Sequence, residues 1–235
     1  LNVMKECIIL AGGLGTRLRE RFPNTPKCLV PVNEIPFICH QLRMLQSIGI
    51  NNFILALGYK SDVIIKALSK YEKYFPNLNF SIENKQLGTG GAIKLAMENF
   101  NLKESIVING DTFIEGDLSS FVSPLNKSEQ IRIAVLEVEN RSRYGGLEIS
   151  FNGQVENFLE KGISTPGLIN AGFYIVNQKV FKKINKQSFS LEKEVFNNEL
   201  KSKHLFAKQI RAEFIDIGLP EDYEIFCNSH KLNVL

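Results

Sequence analysis

A layered α/β fold with a mixed, mostly parallel central sheet is predicted by three features of this 235-residue sequence. Strand-like and helix-like segments alternate through the first half, the pattern of a sheet whose strands are joined by crossover helices. The strand segments there are continuous apolar runs, "IIL", "FILAL" and "IVI", as expected where helices cover both faces. From about Ile131 the strands follow one another with too little chain for crossover helices, which predicts antiparallel additions beside the parallel core.

Taken in order, "KECIILA" is the first buried strand. "FICHQLRMLQSIG" has apolar residues at helical spacing and stops at Gly49. "NNFILALGY" is a strand, Ser61–Tyr74 a helix with Asp62 near its start, and "NFSIEN" a third strand. A helix over Thr89–Asn99 leads into the fourth strand, "SIVINGD". "IRIAVLEVE", "GGLEIS", "QVENFLE" and "INAGFYIV" are the later strands; "SLEKEVFNNEL" and the stretch after Pro220 are closing helices. With no repeat, low-complexity tract or linker, a single domain over 1–235 is predicted.

Composition is that of an ordinary globular protein, 44% hydrophobic and 23% charged. A net charge of +3 is too mild to predict nucleic-acid binding, but suits a few cations gathered around a small anion. No apolar run approaches the length of a signal peptide core or a membrane span, so no membrane partner is expected. Cys7, Cys28, Cys39 and Cys227 lack metal-ligand spacing and are too sparse for a disulfide scaffold. They read as small buried hydrophobes in a reducing, cytoplasmic setting, with Cys28 singled out because it follows Lys27.

Chemistry concentrates first in "LAGGLGTRL", where Gly12, Gly13 and Gly15 follow the opening strand directly. Bare backbone at a strand end turns tightly and leaves N–H groups free to face an anion, phosphate above all. Arg17 adds a planar donor fork and Lys27 a mobile point charge, although a surface turn with two solvated cations has the same letters. Two known phosphate loops are excluded by spacing. A GxGxxG turn needs glycine at Leu18, and a P-loop needs Gly-Lys at Arg17-Leu18.

Asp111 and Asp216 each end a strand segment, in "VINGD" and "FIDIGLP". Ligands of open α/β sheets sit at such carboxyl ends, although a lone Asp there is often only a turn residue. His40, His204 and His230 share no motif, and none suggests a general base. The adjacent pair Glu160-Lys161 would point to opposite faces of a strand. Thr89 reads as an N-cap, and with Gly88 it can also present backbone groups to a nucleobase. Glu83, at a strand end just before them, could accept the N1–H and amine of guanine together, a donor pair uracil lacks; a solvated acid is the plainer reading.

Six ordered stretches, "LAGGLGTRLRERFPNTPKCLVPV", "QLGTGGAI", "VINGDTF", "FLEKG", "INAGFYI" and "FIDIGLPEDY", resemble the sugar nucleotidyltransferases across nearly the whole chain. Cys28 and Gln86 stand where relatives usually or often have proline. The resemblance implies a Rossmann-like fold, with a nucleotide part over about 1–115 and a sugar part over about 116–235. It implies transfer of a nucleotidyl group from a nucleoside triphosphate to a sugar 1-phosphate, with release of pyrophosphate. Such a nucleophile is already anionic near neutral pH, so no base is required.

Within that family the resemblance is strongest to guanylyltransferases acting on D-glycero-D-manno-heptose 1-phosphate, which supply nucleotide-sugars for surface polysaccharides such as capsule. Uridylyltransferases of N-acetylmuramate 1-phosphate share nearly the same skeleton. Mg²⁺ held by Asp111 and Asp216 is implied, as is catalysis by Arg17, Lys27, Asp111, Lys161 and Asp216. Leu10, Ala11, Gly12, Gly13, Gly15, Thr16, Glu83, Gly88 and Thr89 join Arg17, Lys27 and Asp111 around the nucleotide. Asn109, Gly146, Glu160, Lys161, Asn170 and Gly172 are implied around the sugar, with Lys161 on its phosphate and Glu160 on its hydroxyls. Two other readings stand beside this one. A non-catalytic regulatory module would be expected to lose some of these charged residues, and an oxidoreductase would need the missing dinucleotide turn.

Overall fold

Every residue of strand β1 (Glu6–Leu10) between its ends is fully buried, with Cys7 and Ile9 on one face and Ile8 on the other. That demands a packed layer on each side. The computed structural model describes residues 4–13, 18 and 21–230. After β1 the chain forms a short antiparallel pair, β2 (Pro31–Val32) and β3 (Ile35–Pro36), and then helix α1 (Phe37–Ser47). Gly49, at φ +88°, ends α1 by donating to Gln46 O (3.0 Å), while Ile50 N donates to Leu45 O (3.0 Å). This is the paired-bond cap that glycine makes possible.

β4 (Asn52–Leu57), α2 (Ser61–Leu68), β5 (Leu78–Ile82), α3 (Gly88–Asn99) and β6 (Glu104–Asn109) complete the first half. The helix expected over Ser61–Tyr74 turns 3₁₀ at Ser69–Tyr71, and α3 starts one residue before the expected Thr89. β5, β4, β1 and β6 lie side by side, all parallel.

The second half adds β7 (Thr112–Asp117), β8 (Ile131–Val138), β9 (Gly146–Ile149), β10 (Val155–Leu159) and β11 (Gly167–Asn177). β11 runs antiparallel to β6 over Phe173–Asn177 and to β9 over Leu168–Ile169, with β8 along its other side. The register against β8 shifts between Asn170 and Tyr174, and β10 closes one edge on β9. A π-helical turn, Leu191–Phe196, runs into α4 (Asn197–Lys201); β12 (Leu205–Gln209) follows, parallel to β8. β13 (Arg211–Asp216) and α5 (Pro220–Ser229) end the described chain.

The result is three layers. Cys7, Ile9, Phe53, Leu55, Ile106 and Ile108 pack with α1 and α5 on one side of the sheet. Ile8, Ile54, Ala56 and Val107 pack with Ile93, Ala96 and Met97 of α3 and with Val195 and Phe196 on the other. Strict alternation along each strand divides the two cores. Among the described residues no helix is long and apolar enough to cross a membrane.

β7 and β13 form a separate antiparallel pair in which Thr112 is opposite Asp216, and Ile217 N continues it by donating to Asp111 O (3.0 Å). α5 clamps this pair from outside: the Phe226 ring lies 4.7 Å from that of Phe113 on β7 and 5.4 Å from that of Phe37 on α1.

Candidate active site

The carboxyl ends of β1, β4, β5 and β6 open onto a cavity of about 1060 Å³. Leu10, Ala11, Gly12 and Gly13 line it from β1, Glu83 from the end of β5, Gly88 and Thr89 from the start of α3, and Asn109 and Asp111 from the end of β6. Lys27, Lys161 and Asp216 reach it from three other segments. Twelve of the residues assigned to the site from sequence thus face one space. Gly15, Thr16 and Arg17 lie outside the described residues.

Lys27, Asp111 and Asp216 converge at Gly218. A side-chain carbon placed on Gly218 would sit 2.5 Å from Lys27 Nζ, 2.7 Å from Asp216 Oδ1 and 3.5 Å from Asp111 Oδ2. Only glycine leaves that space open. Lys27 Nζ donates to Asp111 Oδ2 at 2.5 Å, and Gly218 N donates to Asp216 Oδ1 at 2.8 Å. One carboxylate therefore already faces a positive charge, and a second lies a few ångströms away. Two carboxylates around an open cradle suit Mg²⁺, which keeps several waters and takes further oxygens from phosphates. No group of three or more His, Cys, Asp or Glu side chains is gathered among the described residues. An ion here would therefore take most of its ligands from phosphate and water, as Mg²⁺ does and a structural zinc does not.

Glu83 is half-buried, and its Oε2 accepts from Leu87 N (3.1 Å). Its Oε1 lies against Gly58, where an added Cβ would come within 2.6 Å. The acid is thus fixed by backbone at the rim of the cavity. Thr89 is not an N-cap, because Leu87 occupies that position. Its hydroxyl instead donates to Glu192 Oε2 (3.2 Å) and accepts from Leu191 N (2.8 Å), stitching α3 to the π-helical turn.

Glu160 and Lys161 lie beyond the end of β10 at Leu159, so strand alternation does not set their directions. Lys161 enters the cavity lining; Glu160 is exposed, and its carbonyl accepts from Arg141 Nη1 (3.2 Å). Gly146, Asn170 and Gly172 are also outside the lining. Gly146 packs beside Arg141, 3.1 Å from Nη1 to where a Cβ would stand. Asn170 donates to the Tyr174 hydroxyl (3.1 Å) and accepts from Gly172 N (2.9 Å), which spends its amide within the β11 bulge. Gly172 (φ +67°) lies against the side chains of Asn109 and Thr112.

The cavity also holds residues not singled out in the sequence, among them Tyr59, Lys85, Arg143, Tyr144, Glu192 and Gly218. Gly58 and Tyr59 follow β4 as Gly12 follows β1, so the strand-end rule would have found them. Arg143 donates to Asp222 Oδ2 (2.5 Å), and burial pushes the Tyr144 phenol up, leaving it a neutral O–H donor. Cys28 is buried and its thiol is pushed up to about 12 by that burial, so it is unreactive near neutrality. None of the three histidines lines the cavity.

The match of residues 6–229 to the nucleotidyl transferase family model decides the assignment. The chain belongs to that family. It is 40% identical over 222 residues to the D-glycero-alpha-D-manno-heptose 1-phosphate guanylyltransferase of Campylobacter jejuni, covering 94% of this chain and 98% of the relative. It is 36% identical to the mannose-1-phosphate guanyltransferase of Schizosaccharomyces pombe over 93% of this chain, but spans only 62% of that relative's length. Among solved structures, HddC from Yersinia pseudotuberculosis complexed with GMP-PN superposes with a TM-score of 0.85 at 38% identity, covering 96% and 99% of the two chains. The nucleotidyl transferase cavity described above lies wholly within the matched residues.

Proposed function

We propose that this nucleotidyl transferase moves a guanylyl group from GTP to a sugar 1-phosphate, D-glycero-D-manno-heptose 1-phosphate, releasing pyrophosphate. The observation that carries the reading is the convergence of Lys27, Asp111 and Asp216 on the open space at Gly218. The activities of relatives at 36% and 40% identity supply the base and the sugar. The product would feed surface polysaccharide synthesis in the cytoplasm, a setting that four free cysteines suit.

The reaction joins two polyanions, and its barrier is lowered by charge neutralisation and alignment. The backbone of Leu10–Gly13, continuing into Gly15, Thr16 and Arg17, receives the triphosphate. Glu83 accepts the N1–H and amine of guanine, while the turn at Gly88 and Thr89 frames the base. Asp111 and Asp216 would hold Mg²⁺, which would supply Lewis-acid polarisation of the triphosphate. Lys27 gives up its contact with Asp111 to meet the phosphates. Lys161 holds the sugar phosphate, whose oxygen attacks the α-phosphorus in line with departing pyrophosphate. No side chain needs to remove a proton. Glu160, Asn109, Gly146, Asn170 and Gly172 are assigned to the sugar by the family resemblance; of these five, Asn109 lines the cavity. On this reading 1–235 is one nucleotidyltransferase domain, with residues to about 115 for the nucleotide and the remainder for the sugar.

Pyrophosphate release measured with GTP, UTP, ATP and CTP against heptose, mannose and N-acetylmuramate 1-phosphates tests the assignment. GTP with the heptose phosphate should give the highest kcat/KM. Equal or better turnover with UTP would replace the guanine assignment with the uridylyl one. Preference for mannose 1-phosphate would correct the sugar alone.

A further inference from the structure

Gln41 is a fully buried amide in the middle of α1, within a layer built from Phe37, Ile38, Leu42 and Leu45. Its Nε2 donates to Asn109 O at 2.9 Å and to Thr112 O at 2.5 Å. Those two carbonyls belong to the last residue of β6 and the first of β7, so a single NH₂ group bridges the Gly110–Asp111 turn. Its Oε1 is buried with no hydrogen-bond partner among the described residues. The two carbonyls fix the amide's orientation, since a reversed amide would set an oxygen against two acceptors.

A buried acceptor without a partner is unfavourable, and an apolar side chain of the same length would fill this place without one. What the amide contributes is therefore the pair of bonds to the turn. Among the described residues the turn has two other backbone anchors, Gly110 N to Leu10 O (3.1 Å) on β1 and Ile217 N to Asp111 O (3.0 Å) beyond β13. Gln41 is the anchor on the side of α1. We propose that Gln41 is a positioning residue: it clamps the β6–β7 turn so that Asp111 stays directed at the Gly218 cradle where metal and phosphate meet. The proposal rests on the role given above to Asp111.

Gln41→Met and Gln41→Leu, each in the whole chain, remove both donors and the unpaired acceptor together. Both variants should fold, with melting temperatures within a few degrees of the parent. Mn²⁺ binding followed by electron paramagnetic resonance, with a non-transferable GTP analogue present, should weaken by about tenfold or more, the scale of losing an outer-shell partner. The kcat should fall by a similar factor while KM for GTP changes by less than about threefold, because the loosened group acts on alignment rather than on nucleotide binding. A folded variant whose Mn²⁺ affinity and kcat both stay within about twofold of the parent overturns the proposal. So does failure of both variants to fold, since the amide would then be a requirement of the core. If the unaltered protein itself binds no Mn²⁺ in this titration, the role of Asp111 is wrong and the proposal falls with it; a parent that binds and variants that match it sink the role of Gln41 alone.

Discussion

Two ion pairs in this molecule have similar contact geometry and opposite surroundings. Arg132 and Glu129 are buried, with side chains 7% and 8% exposed, and the arginine fork also donates to the carbonyls of Phe121 (3.0 Å), Ser123 (2.8 Å) and Pro124 (3.3 Å). Lys27 and Asp111 are more open, at 19% and 31%, and meet in a cavity beside a second carboxylate. The first pair is satisfied by fixed backbone and ties the segment around Phe121 to β8. Among the described residues the second has only its mutual contact, and on the proposed reading its remaining lone pairs and donors meet a ligand. A saturated pair belongs to the fold; a pair with open valences, set at strand ends, belongs to a ligand.

The largest change should come from breaking the saturated pair. Arg132→Ala leaves Glu129 buried without its partner and should destabilise the protein by about 3–5 kcal/mol, read by denaturant unfolding. By contrast, Asp111→Asn or Asp216→Asn should lower kcat by roughly a hundredfold or more while leaving the unfolding curve in place. A wild-type rate in either variant at ordinary Mg²⁺ would remove that residue from the metal site.

Smaller effects sharpen the division inside the cavity. Arg17→Ala should weaken GTP binding measured by calorimetry without sugar. Lys161→Ala should spare that binding and reduce turnover, and the reverse pattern would dissolve the split between the two phosphates. Glu83→Gln should narrow the kcat/KM gap between GTP and UTP. Its effect is the smallest expected, because one carboxylate oxygen is already shared with Leu87 N.

The parts of this fold that were legible in the sequence are those governed by local pattern. "IIL", "FILAL" and "IVI" became β1, β4 and β6 because strands buried on both faces have no other composition open to them. Strands β8 to β11 were legible for the complementary reason, the shortness of the chain between them, whereas β12, which follows a long connection, was not named. Strand β7 was missed: "TFIEGD" mixes glycine and acids, and it is a strand only because β13, far along the chain, pairs with it. In the site, Asp111 and Asp216 were visible as acids at strand ends, but their nearness depends on that same non-local pairing. The placing of Glu160 and Lys161 on a strand was misjudged because β10 stops at Leu159, and strand ends are where pattern is weakest. Arg143 and Tyr144 had no signal of their own, arriving by way of the connection between β8 and β9.

The β7–β13 pairing also sets an order in time. The four parallel strands are complete once β6 has been made, and they can collapse on α1 and α3 while synthesis continues. Asp111 exists from that moment, but its partner acid, Gly218 and the outer clamp of α5 arrive about a hundred residues later, roughly five to twenty seconds at ordinary translation speeds. Throughout that interval the growing polypeptide has the four parallel strands but an unfinished cavity, with one face of α1 still bare where Phe226 will dock. Synonymous codon changes that slow translation between β6 and β13 would therefore lengthen the exposure of that apolar face, and chaperone demand should rise before any loss of specific activity is seen.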